Sequence, residues 1–295
     1  MSVLAVARKE FSDSRRSRTL WAVVALFVLV VGGVTYGYVE FFVDASPGQA
    51  PTSPADRTAT AVAILSGLFG GGSTFGPVDL LVPAIGLLLG YKAVVGERET
   101  GRIKLLLGLP HSRTDVVFGK LLGRTAVAGL AVLAGFLTAG LVLALAGGGG
   151  VTLGPLVALL VLTLLLAAVY VSVGIGLSAL APSSGWATAL VIGVVAVFQV
   201  LWGVIFFAVQ LVVLESPGTP PTWFRALRRL SPTNAYRRAL VATLDAVTDL
   251  PTRNVATPAD ASLVLQDWVG FVWLAAWITV PLVVGLVVFR DADLT

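Results

Sequence analysis

The chain has no cysteine and, among its 295 residues, only one histidine and one methionine. Disulfide frameworks, thiolate metal sites and thiol nucleophiles are therefore excluded, and a soft metal ion such as copper would find few ligands. Charge is also scarce, since 12% of the residues are charged, against about a quarter in ordinary soluble domains. The net charge of +4 is too small to indicate a nucleic-acid-binding surface.

The usual constellations of a membrane enzyme are missing as well. The single histidine, His111, lies in a charged segment, whereas a zinc protease needs His pairs and a serine–histidine protease needs its histidine within the bilayer. A phosphate-binding GxxxxGK[ST] motif is absent, because Leu121 follows Gly119-Lys120. We therefore expect no catalytic centre, metal site or cofactor in this chain, and any ATP dependence must come from a separate subunit.

The longest feature is an uncharged run of 90 residues, from Thr125 to Leu214. A soluble core is not built this way, because some face of each element would have to meet water. Glycines at 147–150 and Pro182 divide the run into three segments. The sequence predicts one all-α integral membrane domain over 1–295 with six spans, at about 19–39, 75–95, 125–145, 156–180, 186–211 and 269–289.

Basic residues predict the orientation. Seven of the 20 lysines and arginines lie between Lys92 and Arg124, and the segment before the first span is also basic. Under the positive-inside rule both regions are cytoplasmic. We therefore expect a multi-pass plasma-membrane protein with both termini in the cytoplasm, a cytoplasmic segment at 96–120 and an extracytoplasmic segment at 215–266.

Two segments have the pattern of helices beside the membrane. Before the first span, an apolar face of Val3, Leu4, Ala7 and Phe11 indicates a cytoplasmic interfacial helix. In the outer segment, Ser231-Pro232 has the form of a helix start, and Tyr236, Leu240, Leu244 and Val247 follow at helical spacing. The second helix either lies at the outer interface, partly re-entrant, or packs on the outer mouth of the bundle.

Two acidic residues, Glu40 and Asp79, lie closest to the membrane core on the outer side. An ionisable group inside a span is a functional candidate. Both residues are candidates for a substrate path, and the alternative is a location at the interface.

The segment from Gly96 to Lys120 reads GERETGRIKLLLGLPHSRTDVVFGK. Pro110 ends one predicted helix, and Ser112 begins the next, which continues into span three. A compact hairpin of this kind suits transmission of force from a soluble motor, although a plain capped loop explains the pattern equally well.

This segment resembles the coupling segment of type-2 ABC exporter permeases, through E-R-E-x-G, the following apolar run and L-x-P-x-S-R. The amino-terminal ARKEF, the six spans and LSPTNAYR at 230–237 extend the resemblance over essentially the whole chain. Within that family the chain is most similar to the branch associated with multicopper-enzyme or nitrous oxide reductase maturation.

The resemblance implies a homodimer or heterodimer of permeases in the bilayer, docked on cytoplasmic ABC ATPase subunits that hold ATP and magnesium. Matching positions assign the ATPase-coupling role to Glu97, Glu99, Gly101, Pro110 and Arg113. His111, which lies between Pro110 and Arg113, is assigned to the same coupling segment. Arg102 departs from the small hydroxyl residue that is common at its position, which leaves the branch and the substrate open.

The leading interpretation is the permease subunit of an ATP-driven exporter. The alternative is a membrane anchor or assembly factor that recruits an ATPase without transporting a substrate. An intramembrane enzyme is disfavoured by the missing constellations.

Overall fold

The computed structural model describes residues 3–15, 17–44, 51, 53–69, 75–101, 113–147, 150–212, 220–247, 257–258 and 260–291. Throughout these ranges the regular elements are helical. Within the described ranges, six segments are long and apolar enough to cross a membrane: Leu20–Val43, Pro77–Glu99, Arg113–Ala146, Leu153–Leu180, Ser184–Val212 and Val269–Phe289. The predicted all-α membrane fold with six spans is confirmed.

The helices are numbered in chain order: α1 (Val3–Arg15), α2 (Arg18–Tyr38), α3 (Pro54–Leu65), α4 (Pro77–Gly90), α5 (Val95–Glu99), α6 (Arg113–Ala146), α7 (Leu153–Leu180), α8 (Ser184–Val195), α9 (Trp202–Val212), α10 (Thr222–Arg228), α11 (Pro232–Val247) and α12 (Val269–Asp291). A π-helical segment, Ala196–Leu201, joins α8 to α9, and together they form span five. We call the end of the bundle that carries α1 and α5 the α5 end. The opposite end, with α3 and the start of α7, is the α3 end.

Helix α7 forms the centre of the bundle and packs against α4, α6, α11 and α12. Small residues allow the closest approaches: a Cβ added to Gly174 would lie 2.8 Å from the Cα of Gly90 on α4. On the other side, a Cβ added to Gly176 would lie 2.6 Å from the carbonyl oxygen of Pro281 on α12. Helices without side chains at the contact can pack backbone to backbone, which holds these three spans together in the absence of a hydrophobic driving force.

Helix α6 carries α1 and α2 on its surface. Gly135 receives the ring of Phe27 from α2, since a Cβ there would lie 2.4 Å from that ring. Near the α5 end, Val6 and Ala7 of α1 are buried against α6. The amino-terminal helix therefore exists as predicted, but Leu4, expected on its apolar face, is 72% exposed.

The second span is preceded by a helix that the sequence analysis did not predict. Ser53 caps the start of α3 by accepting a hydrogen bond from the Asp56 amide at 3.0 Å. The Thr58 hydroxyl accepts from the Thr152 amide, so α3 starts level with the beginning of α7. Its carboxyl end reaches Gly76, just before α4.

Helices α10 and α11 form a hairpin whose turn lies level with the interior of spans four, five and six. The Trp202 indole donates to the Arg228 carbonyl at 3.1 Å, and the Trp277 indole donates to the Leu230 carbonyl at 2.8 Å. The hydroxyls of Tyr170 and Thr233 are 3.0 Å apart. At 1.5 Å per residue, each anchoring residue lies at least about 12 Å along its own span from either end. The hairpin is therefore re-entrant.

The side chains of α11 agree with this placement. The predicted helix start is confirmed, since the Asn234 amide donates to the Ser231 hydroxyl at 3.3 Å. Tyr236 and Leu240 are fully buried against the other helices. Of the two placements left open by the sequence, the structure therefore has α11 inserted and packed, and not lying flat on a membrane surface.

Span five lies at the periphery. None of the 18 residues in its most apolar window is buried, against 67% of the corresponding window in α7. The apolar face of span five is therefore available to lipid or to another protein.

Candidate functional site at the α5 end

Helix α5 is fixed to the bundle by its own backbone. After α4 ends at Gly90, a turn leads into α5, and the amides of Val94 and Val95 both donate to the Ser178 hydroxyl, at 3.0 and 3.1 Å. These amides belong to the first turn of a helix, which has no intrahelical acceptors for them. One buried serine on α7 thus satisfies two donors and sets the position of α5.

A buried ion cluster joins α5 to α1 and α6. The Lys120 ammonium is fully buried and lies 2.7 Å from a Glu10 carboxylate oxygen and 2.6 Å from a Glu97 carboxylate oxygen. Arg124 adds a second contact to Glu10 at 2.9 Å and donates to the Leu89 carbonyl. A lysine is rarely fully buried unless it is paired, so these contacts are what keep Lys120 inside the structure.

The charges of this cluster change the acidity of Glu10. Burial by itself favours the protonated carboxyl, but the nearby Arg124 and Lys120 outweigh it and lower the pKa of Glu10 below its ordinary value of 4.5. Glu10 is therefore a carboxylate at neutral pH, which the ion cluster requires.

Two arginines connect the same region to α12. The guanidinium groups of Arg98 and Arg113 lie over the Phe289 ring, 5.5 and 5.2 Å from its centre. Arg98 also donates to the Ala179 carbonyl at 3.3 Å, and Arg113 donates to the Phe289 carbonyl. Cation–π contacts of this kind hold the last turn of α12 against α5 and the start of α6.

The carboxyl end of α5 reaches span five. Glu99 is exposed and accepts a hydrogen bond from the Ser184 amide at 2.7 Å, at the first residue of α8. Gly101 follows with φ of +69°, a left-handed conformation that terminates helices and favours glycine. A carboxylate at a helix start also interacts favourably with the helix dipole.

The predicted coupling residues are thus partly assembled at one place. Glu97, Glu99, Gly101 and Arg113 all lie at the α5 end. Glu97 contacts α6, Glu99 contacts α8 and Arg113 contacts α12. Pro110 and His111 lie outside the described residues. The Glu97 side chain points inward to Lys120, so its observed contacts anchor α5 within the chain.

Sequence analysis missed three of the residues that organise this site: Glu10, Lys120 and Ser178. Glu10 lies within the ARKEF segment and Lys120 within the basic flank of span three, but no spacing rule connects positions 110 residues apart. One signal was available in the sequence: Lys120 lies in a helix that continues into the membrane, and a lysine in that position needs a carboxylate partner.

A cavity of about 350 Å³ opens between α1 and α5. Its lining is almost entirely polar: Lys9, Glu10, Asp13, Ser14, Lys92, Gly96, Glu97, Thr100 and Arg124. The cavity leaves the Glu97 side of α5 open toward the bundle surface, so polar contacts support this side, whereas Val95 at the start of α5 packs with Ala181 and Ala187.

The two substrate-path candidates do not share a site. Glu40 is exposed in the π-helical segment Val39–Asp44 that extends α2. Asp79 is fully buried at the start of α4, where it accepts from the Gly76 amide at 3.0 Å and forms an ion pair with Arg237 of α11 at 2.5 Å. Asp79 therefore joins span two to the re-entrant hairpin.

Residues 4–294 match the ABC-2 family transporter protein family. A probable ABC transporter permease protein NosY from Stutzerimonas stutzeri is 31% identical over 289 residues, covering 97% of this chain and 96% of the relative. A probable ABC transporter permease protein NosY from Pseudomonas aeruginosa is 31% identical over 252 residues, 83% of each chain.

The chain belongs to the ABC-2 transporter family, as its resemblance to type-2 ABC permeases predicted. It is a membrane subunit of the permease type.

Proposed function

We propose that this chain is the membrane-spanning subunit of an ATP-driven exporter and that a cytoplasmic ABC ATPase subunit docks at the α5 end. The observation that supports this most directly is the set of polar contacts around α5. This five-residue helix contacts α6, α7, α8 and α12 through ion pairs, hydrogen bonds and cation–π contacts. It is linked to α1 through Lys120, which also pairs with Glu10. A push on α5 would therefore displace several spans at once.

The docking surface in this proposal is the outward side of α5. Lys92, Glu99 and Thr100 are exposed there, and the adjacent segment 102–112 contains Pro110 and His111. Glu97 takes the role of an internal anchor through Lys120. ATP and magnesium belong to the partner subunit in this scheme.

The distribution of charge supports the orientation. Lys9, Lys92, Arg98, Lys120 and Arg124 all lie at the α5 end, and basic residues favour the cytoplasmic side. Both termini would then be cytoplasmic, because α1 and the last turn of α12 lie at the same end as α5. The α3 end would face outward.

We further propose that two permease chains pair through span five. None of the 18 residues in its most apolar window is buried in the single chain, and Glu99 links its first residue directly to α5. A displacement of α5 would therefore pass to the interface between permeases, where an export path for the substrate would open.

Single-cysteine labelling tests the orientation and the docking together, because the natural chain has no cysteine. Thr100→Cys places a thiol on the exposed side of α5, and Ser262→Cys is the matched control on an exposed residue before α12. In right-side-out vesicles a membrane-impermeant maleimide should label Ser262→Cys alone. In inverted vesicles it should label Thr100→Cys, and bound ATPase subunit should protect that thiol.

Labelling of Thr100→Cys in right-side-out vesicles would contradict the orientation, and no protection by the ATPase subunit would contradict the docking site. A measurement of solute flux distinguishes the exporter from the alternative function, a membrane anchor without transport. In proteoliposomes with the ATPase subunit, an exporter moves solute in an ATP-dependent way, whereas an anchor protects Thr100→Cys without any such movement.

A further inference from the structure

The re-entrant hairpin concentrates positive charge within the bundle. Five residues of α10, α11 and their connecting turn, which we call the hairpin arginines, carry this charge: Arg225, Arg228, Arg229, Arg237 and Arg238. Among the described residues, their carboxylate partners are Asp79 for Arg237 and Asp267 for Arg229 and Arg238. Helix α11 also carries Asp245, so in the described ranges the five hairpin arginines outnumber these three carboxylates by two.

Arg225 and Arg228 account for most of this excess. Neither forms an ion pair within the described part of the chain, and the Arg225 Nε is buried without a hydrogen-bond partner. Arg228 interacts electrostatically with Arg238 and Arg237, and both of these interactions are repulsive. These neighbouring cations create a positive potential that attracts an anion to these two side chains.

The position of Arg228 excludes a lipid environment for this part of the surface. Its carbonyl is bonded to the Trp202 indole, which lies about 27 Å along span five from Ser184 and about 15 Å from Val212. Yet the Arg228 residue itself is exposed, as is the neighbouring Leu227 at 48%. An exposed arginine beside non-helical backbone at this depth is tolerated only next to water or within protein.

We infer that Arg225 and Arg228 form an anion-binding site that lines a water-filled path beside span five, and that the transported solute is a small anion. The inference rests on the proposed transport function and adds the chemical class of the substrate. In this arrangement Asp79 and Asp267 hold Arg237 and Arg238 in place, while the two unpaired arginines stay available for the solute.

Thiol reactivity measures the local potential without knowledge of the natural substrate. In the permease with its ATPase subunit in neutral phosphatidylcholine nanodiscs, Leu227→Cys is allowed to react with 2-sulfonatoethyl or 2-(trimethylammonium)ethyl methanethiosulfonate. The anion-to-cation rate ratio is divided by that of Ser262→Cys. One unit charge about 8 Å from the thiol in water changes this ratio about sixfold, so we expect a normalised ratio of at least about six.

Two further variants identify the source of the potential. Leu227→Cys/Arg228→Gln should lose most of the anion preference, and Leu227→Cys/Arg228→Lys should retain it. Sodium sulfate at constant ionic strength should slow the anionic reagent at Leu227→Cys and leave Ser262→Cys unaffected. An unreactive thiol would overturn the proposed site, and so would a normalised ratio near one. A ratio near one is also the result if a partner permease supplies carboxylates that neutralise these arginines, and the proposal fails in that case too.

Changing the lipid composition of the nanodiscs distinguishes a bound lipid headgroup from a small dissolved anion. If phosphatidylglycerol nanodiscs abolish the anion preference while sulfate has no effect, the anion bound is a lipid phosphate and the proposal of a small solute is overturned. Failure of the transport function itself would appear separately, as loss of ATP-dependent flux with the anion preference at Leu227→Cys unchanged.

Discussion

Lys120 is the cation that pairs with Glu97 of α5 in the described part of the chain. The substitution Lys120→Met keeps a similar volume but leaves the Glu97 carboxylate without a counter-ion among the described residues, while Glu10 keeps Arg124. Removing one member of a buried ion pair costs about 3–5 kcal/mol, because a buried charge is left uncompensated. We expect this loss to appear mainly as local opening of α5.

Hydrogen exchange at Val94 and Val95 measures that opening, since both amides are held by Ser178. A loss of about 3 kcal/mol corresponds to an increase in exchange rate of about 100-fold or more. Lys9→Met is the matched control, because Lys9 is exposed and forms no ion pair within the described ranges. Its effect should stay within about 0.5 kcal/mol.

The double variant Lys120→Met/Glu97→Gln removes both charges and should recover part of the loss. The reasoning would be refuted if Lys120→Met exchanged no faster than Lys9→Met. It would also be refuted if the double variant were less stable than Lys120→Met alone, because the uncompensated Glu97 carboxylate would then not be the source of the instability.

Three other predictions concern packing, pH and the re-entrant hairpin. Gly174→Ala should destabilise by about 1–3 kcal/mol in thermal unfolding, because its Cβ would lie 2.8 Å from the α4 backbone, whereas Gly193→Ala in open space should be neutral or slightly stabilising. Arg124 and Lys120 overcome the effect of burial and lower the pKa of Glu10, so its stabilisation is complete above about pH 4.5 and is lost as pH falls through the native value. The difference in unfolding temperature between the wild type and Glu10→Gln should therefore shrink below pH 4.5; a constant difference would contradict this. Asp79→Asn and Arg237→Gln should each destabilise, and a double-mutant cycle should give a coupling of about 0.5–3 kcal/mol; additive effects would exclude a functional ion pair.

The six spans could be predicted because they depend on local composition. The uncharged run from 125 to 214 and its glycine and proline breaks are read directly from the chain, and the start of α11 follows from Ser231-Pro232. Helix α3 was also within reach, since Ser53-Pro54 followed by Asp56 is a helix-start pattern. Helix α3 was not predicted because it is less hydrophobic than a membrane span, and the long apolar segments alone were assigned as helices in this region.

The candidate site was only partly predictable for a different reason. Glu97, Glu99 and Arg113 lie in a recognisable segment, but their partners Lys120, Ser184 and Phe289 come from other helices. Such contacts depend on how the spans pack, and that packing is set by backbone approaches at glycines spread over the whole chain. The inward direction of the Glu97 side chain likewise follows from Lys120 and not from its own neighbours in sequence.

The length of α6 has a mechanical consequence. This single helix of 34 residues is about 51 Å long; near its first residue Arg113 contacts Phe289, and just beyond its last residue the Gly147 carbonyl accepts from Arg57. With Gly135 held against Phe27, α6 can act as a lever with unequal arms, about 33 Å toward Arg113 and about 17 Å toward Ala146. A tilt of about 5° would move the Arg113 end by about 3 Å and the Ala146 end by about 1.5 Å in the opposite direction. A small displacement of α6 beside α5 would thus reach the far side of the bilayer with about half its size and the opposite direction.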